Sequence, residues 1–237
     1  MSINKSVYNI KIILLGETGV GKTNLINAYF GNSFVEDVLG TISPKQSHET
    51  IEINDKICFI DMWDTMGQEK YRSLTTSFIK GSHIIIFIYD ITNQDSFKNL
   101  NYWVEAVKEN INDYNIILGL TANKMDLFNK SEVSKEKGEK YAKEIGAFFN
   151  ESSAKENPKG FKKFVKKLLE KLFLDENSIK KEGNIIEKSF ESNDSENTQK
   201  KRKKIVAKRE FSYFNFINIK YLFLCIKFIK IRERTYN

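Results

Sequence analysis

Eight consecutive residues, Gly16-Glu17-Thr18-Gly19-Val20-Gly21-Lys22-Thr23, place glycines, a lysine and a hydroxyl at the spacing G-x-x-x-x-G-K-[ST]. Glycines let the backbone curl until successive N–H groups point at one anion. A helix opening at Lys22 would turn its positive end on the same anion. Gly16, Thr18, Gly19, Val20, Gly21 and Asn24 are therefore candidate phosphate contacts. Lys22 would reach the β- and γ-phosphates, and the Thr23 hydroxyl would ligate Mg²⁺. At ordinary residue frequencies a chance match somewhere in such a chain is on the order of one in a hundred. The motif implies a nucleoside triphosphate and leaves the base open.

Two later segments address the base. Asn123-Lys124-Met125-Asp126 follows the apolar run 116–120, and Ser153-Ala154-Lys155 follows 147–150. Both stand at the carboxyl ends of expected strands, where open parallel sheets bind ligands. A buried Asp126 carboxylate would accept hydrogen bonds from N1–H and the 2-amino group of guanine, a pair that adenine does not offer. Losing it would cost an adenine nucleotide several kcal/mol, at roughly 2–3 per charged hydrogen bond. Lys124 would pack along the base and the Ala154 N–H would serve guanine O6.

A third set would sense the terminal phosphate. Asp64 would hold Mg²⁺ through water, Gly67 would approach the γ-phosphate, and Gln68 would orient the attacking water. Phosphoryl transfer needs such positioning and charge neutralisation more than a strong base. Thr41, eighteen residues past Thr23, is the best candidate for a second protein oxygen on the metal.

The elements that must hold these groups alternate strand and helix. Segments 83–89 and 116–120 are nearly all apolar, as strands covered on both faces are, and 8–15 is a short apolar run that stops at the glycine-rich turn. Residues 50–53 alternate with period two, and Asn54-Asp55-Lys56 reads as a turn into 57–63, a hairpin. Phe97, Leu100, Val104, Val107 and Ile111 recur at helical spacing, as do Phe161, Phe164, Val165, Leu168, Leu169 and Leu172. Residues 22–30 are a further helix candidate. The pattern predicts an α/β domain: a largely parallel sheet with one antiparallel edge strand and helices on both faces.

Composition bounds the rest. With two cysteines and two histidines in 237 residues, neither a disulfide scaffold nor a His/Cys-ligated metal centre is expected. The start is polar and gives no signal-peptide pattern, so a reduced, intracellular protein is expected. The net charge of +7 is divided: residues 200–237 hold twelve Lys/Arg against two Glu, and residues 1–199 hold 26 against 29 Asp/Glu. Residues 176–199 read as a disordered linker, and 200–237 as a basic, apolar-aromatic tail. The basic block 200–204 suits an anionic membrane surface better than nucleic acid, because no nucleic-acid-reading module accompanies it. Two readings of 211–230 stay open: a membrane-seeking segment, or translated AT-rich DNA that is not genuine coding sequence. His48 and His83 read as ordinary strand residues, Trp103 and Trp63 as core or interface aromatics.

Taken in order, G-E-T-G-V-G-K-T, W-D-T-x-G-Q-E, N-K-M-D and E-S-S-A-K make the chain resemble the Ras-superfamily small GTPases over about residues 7–175. It resembles the Rab family most, on Lys70-Tyr71-Arg72-Ser73 and Tyr89-Asp90-Ile91-Thr92. The resemblance implies a P-loop NTPase small G domain with a six-stranded sheet. It also implies slow GTP hydrolysis to GDP with Mg²⁺, and Phe34 packed against the guanine. Exchange factors, activating proteins and effectors would act on it in vesicle traffic. Its place would be cytoplasmic, peripheral on the cytosolic face of an endomembrane.

Three departures stand out. Thr41 is followed by Ile42-Ser43-Pro44-Lys45-Gln46 where Rab proteins have I-G-x-x-F, and Met66 replaces the usual alanine. A longer Met66 side chain beside the γ-phosphate would shift Gln68 or crowd the closed loop, so GTP binding with slow hydrolysis is expected. The last residues, Arg234-Thr235-Tyr236-Asn237, lack the prenylated cysteines of that family.

Overall fold

A computed structural model describes residues 6–36, 41, 44–65, 78–110 and 116–174. Met66, Gly67, Gln68, the segment 70–73, Ile111, the linker and the tail lie outside the described residues.

The chain runs β1 (Val7–Leu15), α1 (Lys22–Tyr29), β2 (Lys45–Ile53), β3 (Lys56–Asp64), β4 (Ile84–Asp90), α2 (Gln94–Lys98), α3 (Leu100–Asn110) and β5 (Ile117–Asn123). A 3₁₀ segment (Met125–Lys130), α4 (Lys135–Glu144), β6 (Phe148–Glu151) and α5 (Pro158–Leu174) complete it. The six strands form one sheet in the order β2-β3-β1-β4-β5-β6, parallel throughout except for β2 against β3. The expected α/β architecture is therefore present, antiparallel edge strand included.

Side-chain alternation decides which helices cover which face. Ile84, Ile86 and Ile88 of β4 join Ile10, Ile12 and Leu14 of β1 in one core with Leu25 of α1 and Phe161, Val165 and Leu168 of α5. The alternate residues Ile85, Phe87 and Tyr89 are equally buried, on the other face, where Tyr89 meets Phe97 of α2 edge-on at 4.9 Å. Complete burial on both faces is why β4 has no polar residue before Asp90. Trp103 of α3 is wholly buried, a core residue, while Trp63 is buried against Phe78 at 5.3 Å.

Two elements depart from the sequence expectation. The single helix expected across 97–111 is two, α2 and α3, separated at Asn99. Asn93 caps α2 by accepting the Ser96 N–H, a local preference that apolar periodicity does not register. β2 begins at Lys45, directly after Pro44, five residues earlier than its period-two pattern shows. Pairing with β3 from Lys45↔Asp64 to Ile53↔Lys56 sets its length, and a strand paired along one edge needs no apolar side chains there. The hairpin turns on Asn54 and Asp55, both at positive φ (49° and 60°), as the twist of a two-residue loop requires. His83 precedes β4, and its Nδ1 accepts the Lys11 N–H at 3.0 Å. Among the described residues no helix is long and apolar enough to cross a membrane.

Candidate functional site

β1, β3, β4 and β5 all end on the same edge of the sheet, and the loops that leave them surround a cavity of about 340 Å³. The loop after β1 curls because two of its glycines cannot be replaced. A Cβ on Gly16 (φ 151°) would strike the Ile88 carbonyl, and one on Gly21 (φ 94°) would strike the Asn123 side-chain amide. The space at Gly21 is used: Asn123 Nδ2 donates to the Val20 carbonyl at 2.8 Å, tying the loop after β1 to the end of β5.

Lys22 lies inside this loop. Its Nζ donates to the carbonyls of Gly16 and Glu17, each at 2.8 Å. Burial pushes its ammonium down to about 8, against the raising influence of Asp64 and Glu17. The first acceptor of α1, the Gly21 carbonyl, is taken by Leu25 N–H, so the N–H groups of residues 22–24 lie in the helix's open first turn. A desolvated ammonium and an open helix start together favour an anion.

Three oxygens converge beside it. Asp64 Oδ2 accepts the Thr23 hydroxyl at 2.8 Å and the Thr41 hydroxyl at 3.2 Å, and the two hydroxyls are 3.3 Å apart. Asp64 is buried, and its Oδ1 has no partner among the described residues. Burial raises its carboxyl above the ordinary range despite the Thr23 hydrogen bond, the Lys22 charge and the Thr41 hydrogen bond. An orphaned, desolvated carboxylate oxygen beside two hydroxyls is a hard-oxygen donor set, so these residues fit Mg²⁺. Thr23 and Thr41 would hold it directly and Asp64 beside them.

At the other end of the cavity the charged groups have partners, while the buried Asn123 Oδ1 has none among the described residues. Ser153 Oγ donates to Asp126 Oδ1 at 2.6 Å and accepts Glu156 N–H at 2.9 Å. Lys124, at φ 66°, extends Nζ to Asp90 Oδ2 at 2.7 Å. Ala154 is buried and lines the cavity. Phe34 is half-exposed at its mouth, with Lys155 Nζ 5.7 Å from its ring centre. Phe34, Lys124 and Asp126 all line the cavity at this end.

Of the residues singled out from sequence, Thr18, Gly19, Gly21, Lys22, Thr23 and Asn24 line the cavity from one side, and Phe34 and Thr41 from a second. Asn123, Lys124, Asp126, Ala154 and Lys155 line the third. Four are displaced from direct contact. Val20 is a core residue, Gly16 offers its carbonyl to Lys22, and Asp64 and Ser153 act on neighbouring site residues. Two expectations need correction. Asp126 is half-buried, because the 3₁₀ segment lifts it to the cavity rim, and Ser153 already holds one of its oxygens. The Asn24 amide is engaged with the backbone of Val35, donating at 2.7 Å and accepting at 3.1 Å, so its side chain positions the Phe34 loop.

Sequence reading missed Asp90, which holds Lys124, and the pair Glu17–Trp103, in which the indole N–H donates to Glu17 Oε1 at 3.1 Å. No local pattern could have joined the last two, which stand eighty-six residues apart.

The model of the Ras family matches residues 11–173, most of the described fold. The chain belongs to the Ras family. The Ras-related protein RABF2b of Arabidopsis thaliana is 38% identical over 152 residues, which cover 64% of this chain and 75% of the relative. RABF2a of the same plant is 39% identical over 152 residues, with 64% and 75% covered. Rab-8A of Bos taurus is 39% identical over 152 residues, 63% of this chain and 72% of that protein. This is a Rab-type small GTPase, and its ligand is guanine nucleotide.

Proposed function

We propose that this GTPase is a slow molecular switch in vesicle traffic, holding GTP or GDP with Mg²⁺ and working at the cytosolic face of an endomembrane. Residues 7–175 would be the G domain, 176–199 a linker and 200–237 the membrane-directed tail. The observation that carries the reading is the two-ended cavity: an anion site with an orphaned carboxylate oxygen at one end, and Asp126 with Ser153 at the other.

In this reading Lys22 and the N–H groups at the start of α1 grip the phosphates, and Phe34, Lys124, Asp126 and Ala154 frame the base. When bound, Mg²⁺ would neutralise charge on the β- and γ-phosphate oxygens. Gln68 orients a water in line with the γ-phosphorus, the bond to the β–γ bridging oxygen breaks, and GDP and phosphate leave. Thr41 senses the difference, because its hydroxyl already reaches Asp64 and Thr23 across the loop before β2. Exchange factors, activating proteins and effectors would act through residues around Thr41 and Gln68.

Met66 favours a second reading, a nucleotide-locked scaffold whose hydrolysis is impaired. Single-turnover GTP hydrolysis separates the two. The switch predicts measurable hydrolysis that Gln68→Leu lowers at least about tenfold and Met66→Ala raises. No hydrolysis in either the native protein or Met66→Ala would establish the scaffold.

A further inference from the structure

The helices on the two faces of the sheet differ in charge. α2, α3 and α4 together carry six lysines and six carboxylates. α5 carries six lysines and one carboxylate, Glu170, and α1 beside it has no acidic residue. Residues 1–199 as a whole hold more Asp/Glu than Lys/Arg, 29 against 26, so α5 is a basic stripe on an acidic body.

Two of its lysines have work within the fold: Lys162 pairs with Glu49 at 2.8 Å, and Lys171 lies 5.9 Å from the Phe148 ring centre. Lys159, Lys163, Lys166 and Lys167 are exposed and have no ion-pair partner among the described residues. At helical spacing they fall on one stripe, about 12 Å long at 1.5 Å per residue. Leu174, 75% exposed, continues the stripe at the end from which the chain leads toward the basic block 200–204.

We propose that the outer face of α5 is a lipid-facing surface of the G domain, taking anionic phospholipid headgroups. The inference rests on the membrane reading above and adds which face of the domain meets the bilayer. Four unpaired ammonium groups on flexible stems, arrayed along a convex helix, match a laterally mobile sheet of negative charge. An acidic protein partner would find no pocket among them, and an exposed leucine at the rim suits a headgroup layer. With α5 against the lipid, the β2 edge and the cavity mouth remain accessible from the side.

The test is co-sedimentation of the full-length, GDP-loaded chain with phosphatidylcholine vesicles, with and without phosphatidylserine. The variant K159Q/K163Q/K166Q/K167Q is compared with a control on the opposite face and loops, K108Q/K130Q/K140Q/K143Q; all eight positions are exposed. Each lysine near an anionic surface contributes roughly fivefold, so the α5 variant should lose at least about tenfold in affinity. The control should lose no more than about twofold, and unchanged GDP affinity verifies both folds. Equal binding by all three proteins, or equal loss in both variants, overturns the role of α5 and leaves the membrane reading standing. If the native chain binds no better with phosphatidylserine than without, both fall. Retention on polyglutamate beads without vesicle binding assigns the stripe to an acidic protein and overturns the proposal.

Discussion

The two ends of the cavity are built on opposite principles. At the base end most charged groups have partners, Asp126 with Ser153 and Lys124 with Asp90, while Asn123 donates its amide to Val20 and keeps a buried Oδ1 without a partner among the described residues. At the phosphate end, Asp64 keeps a buried oxygen without a partner, and Lys22 is desolvated against two carbonyls. A paired site loses little order on binding, whereas a buried unpaired oxygen gains most from a partner. We therefore expect specificity to lie with the first end and retention with the second.

The sharpest way to break this contrast is Asp126→Ala. Removing hydrogen bonds to a charged group should cost about 3 kcal/mol or more, at least roughly a hundredfold in GDP affinity by calorimetry. The preference for GDP over ADP should fall with it; a preserved preference would move specificity elsewhere. Next comes removal of the metal. Chelation with EDTA should speed GDP release at least about tenfold, and Thr23→Ala should reproduce most of that in the presence of Mg²⁺. An EDTA-insensitive release rate would mean that the orphaned Asp64 oxygen serves no cation.

The smallest expected effect joins the phosphate end to the core. Trp103→Phe keeps an aromatic ring on α3 but deletes the N–H that Glu17 accepts, within the loop that holds Lys22. GDP release should quicken about two- to fivefold, for one lost hydrogen bond near 1 kcal/mol, and Tm should fall with the smaller ring at this wholly buried position. Stopped-flow release of a fluorescent GDP analogue reads it, and an unchanged rate would detach the loop from α3.

How much was legible beforehand follows from the range of each interaction. The loop after β1 is contiguous, so its residues could be read directly, and Gly19, Gly21, Lys22 and Thr23 line the cavity. The strands β1, β4 and β5 were legible because burial on both faces leaves near-continuous apolar runs. β2 was half legible: its first five residues owe their conformation to hydrogen bonds from β3, which period-two counting does not see. Asn24 lines the cavity, and its side-chain amide, in addition, holds the backbone of Val35. Asp90 was noted for family flavour and proved to be the partner of Lys124.

Residue types and spacing by themselves determined the chemistry available: a phosphate loop, a guanine carboxylate, hydroxyls for a hard cation, and a sheet to carry them. Folding alone decided which of those groups touch. Asp64 meets Thr23 and Thr41, and Glu17 meets Trp103, because strand order and helix packing bring distant residues within hydrogen-bond range. Whether a carboxylate is quenched or left wanting is a matter of distances of a few ångströms, and those are properties of the packed chain.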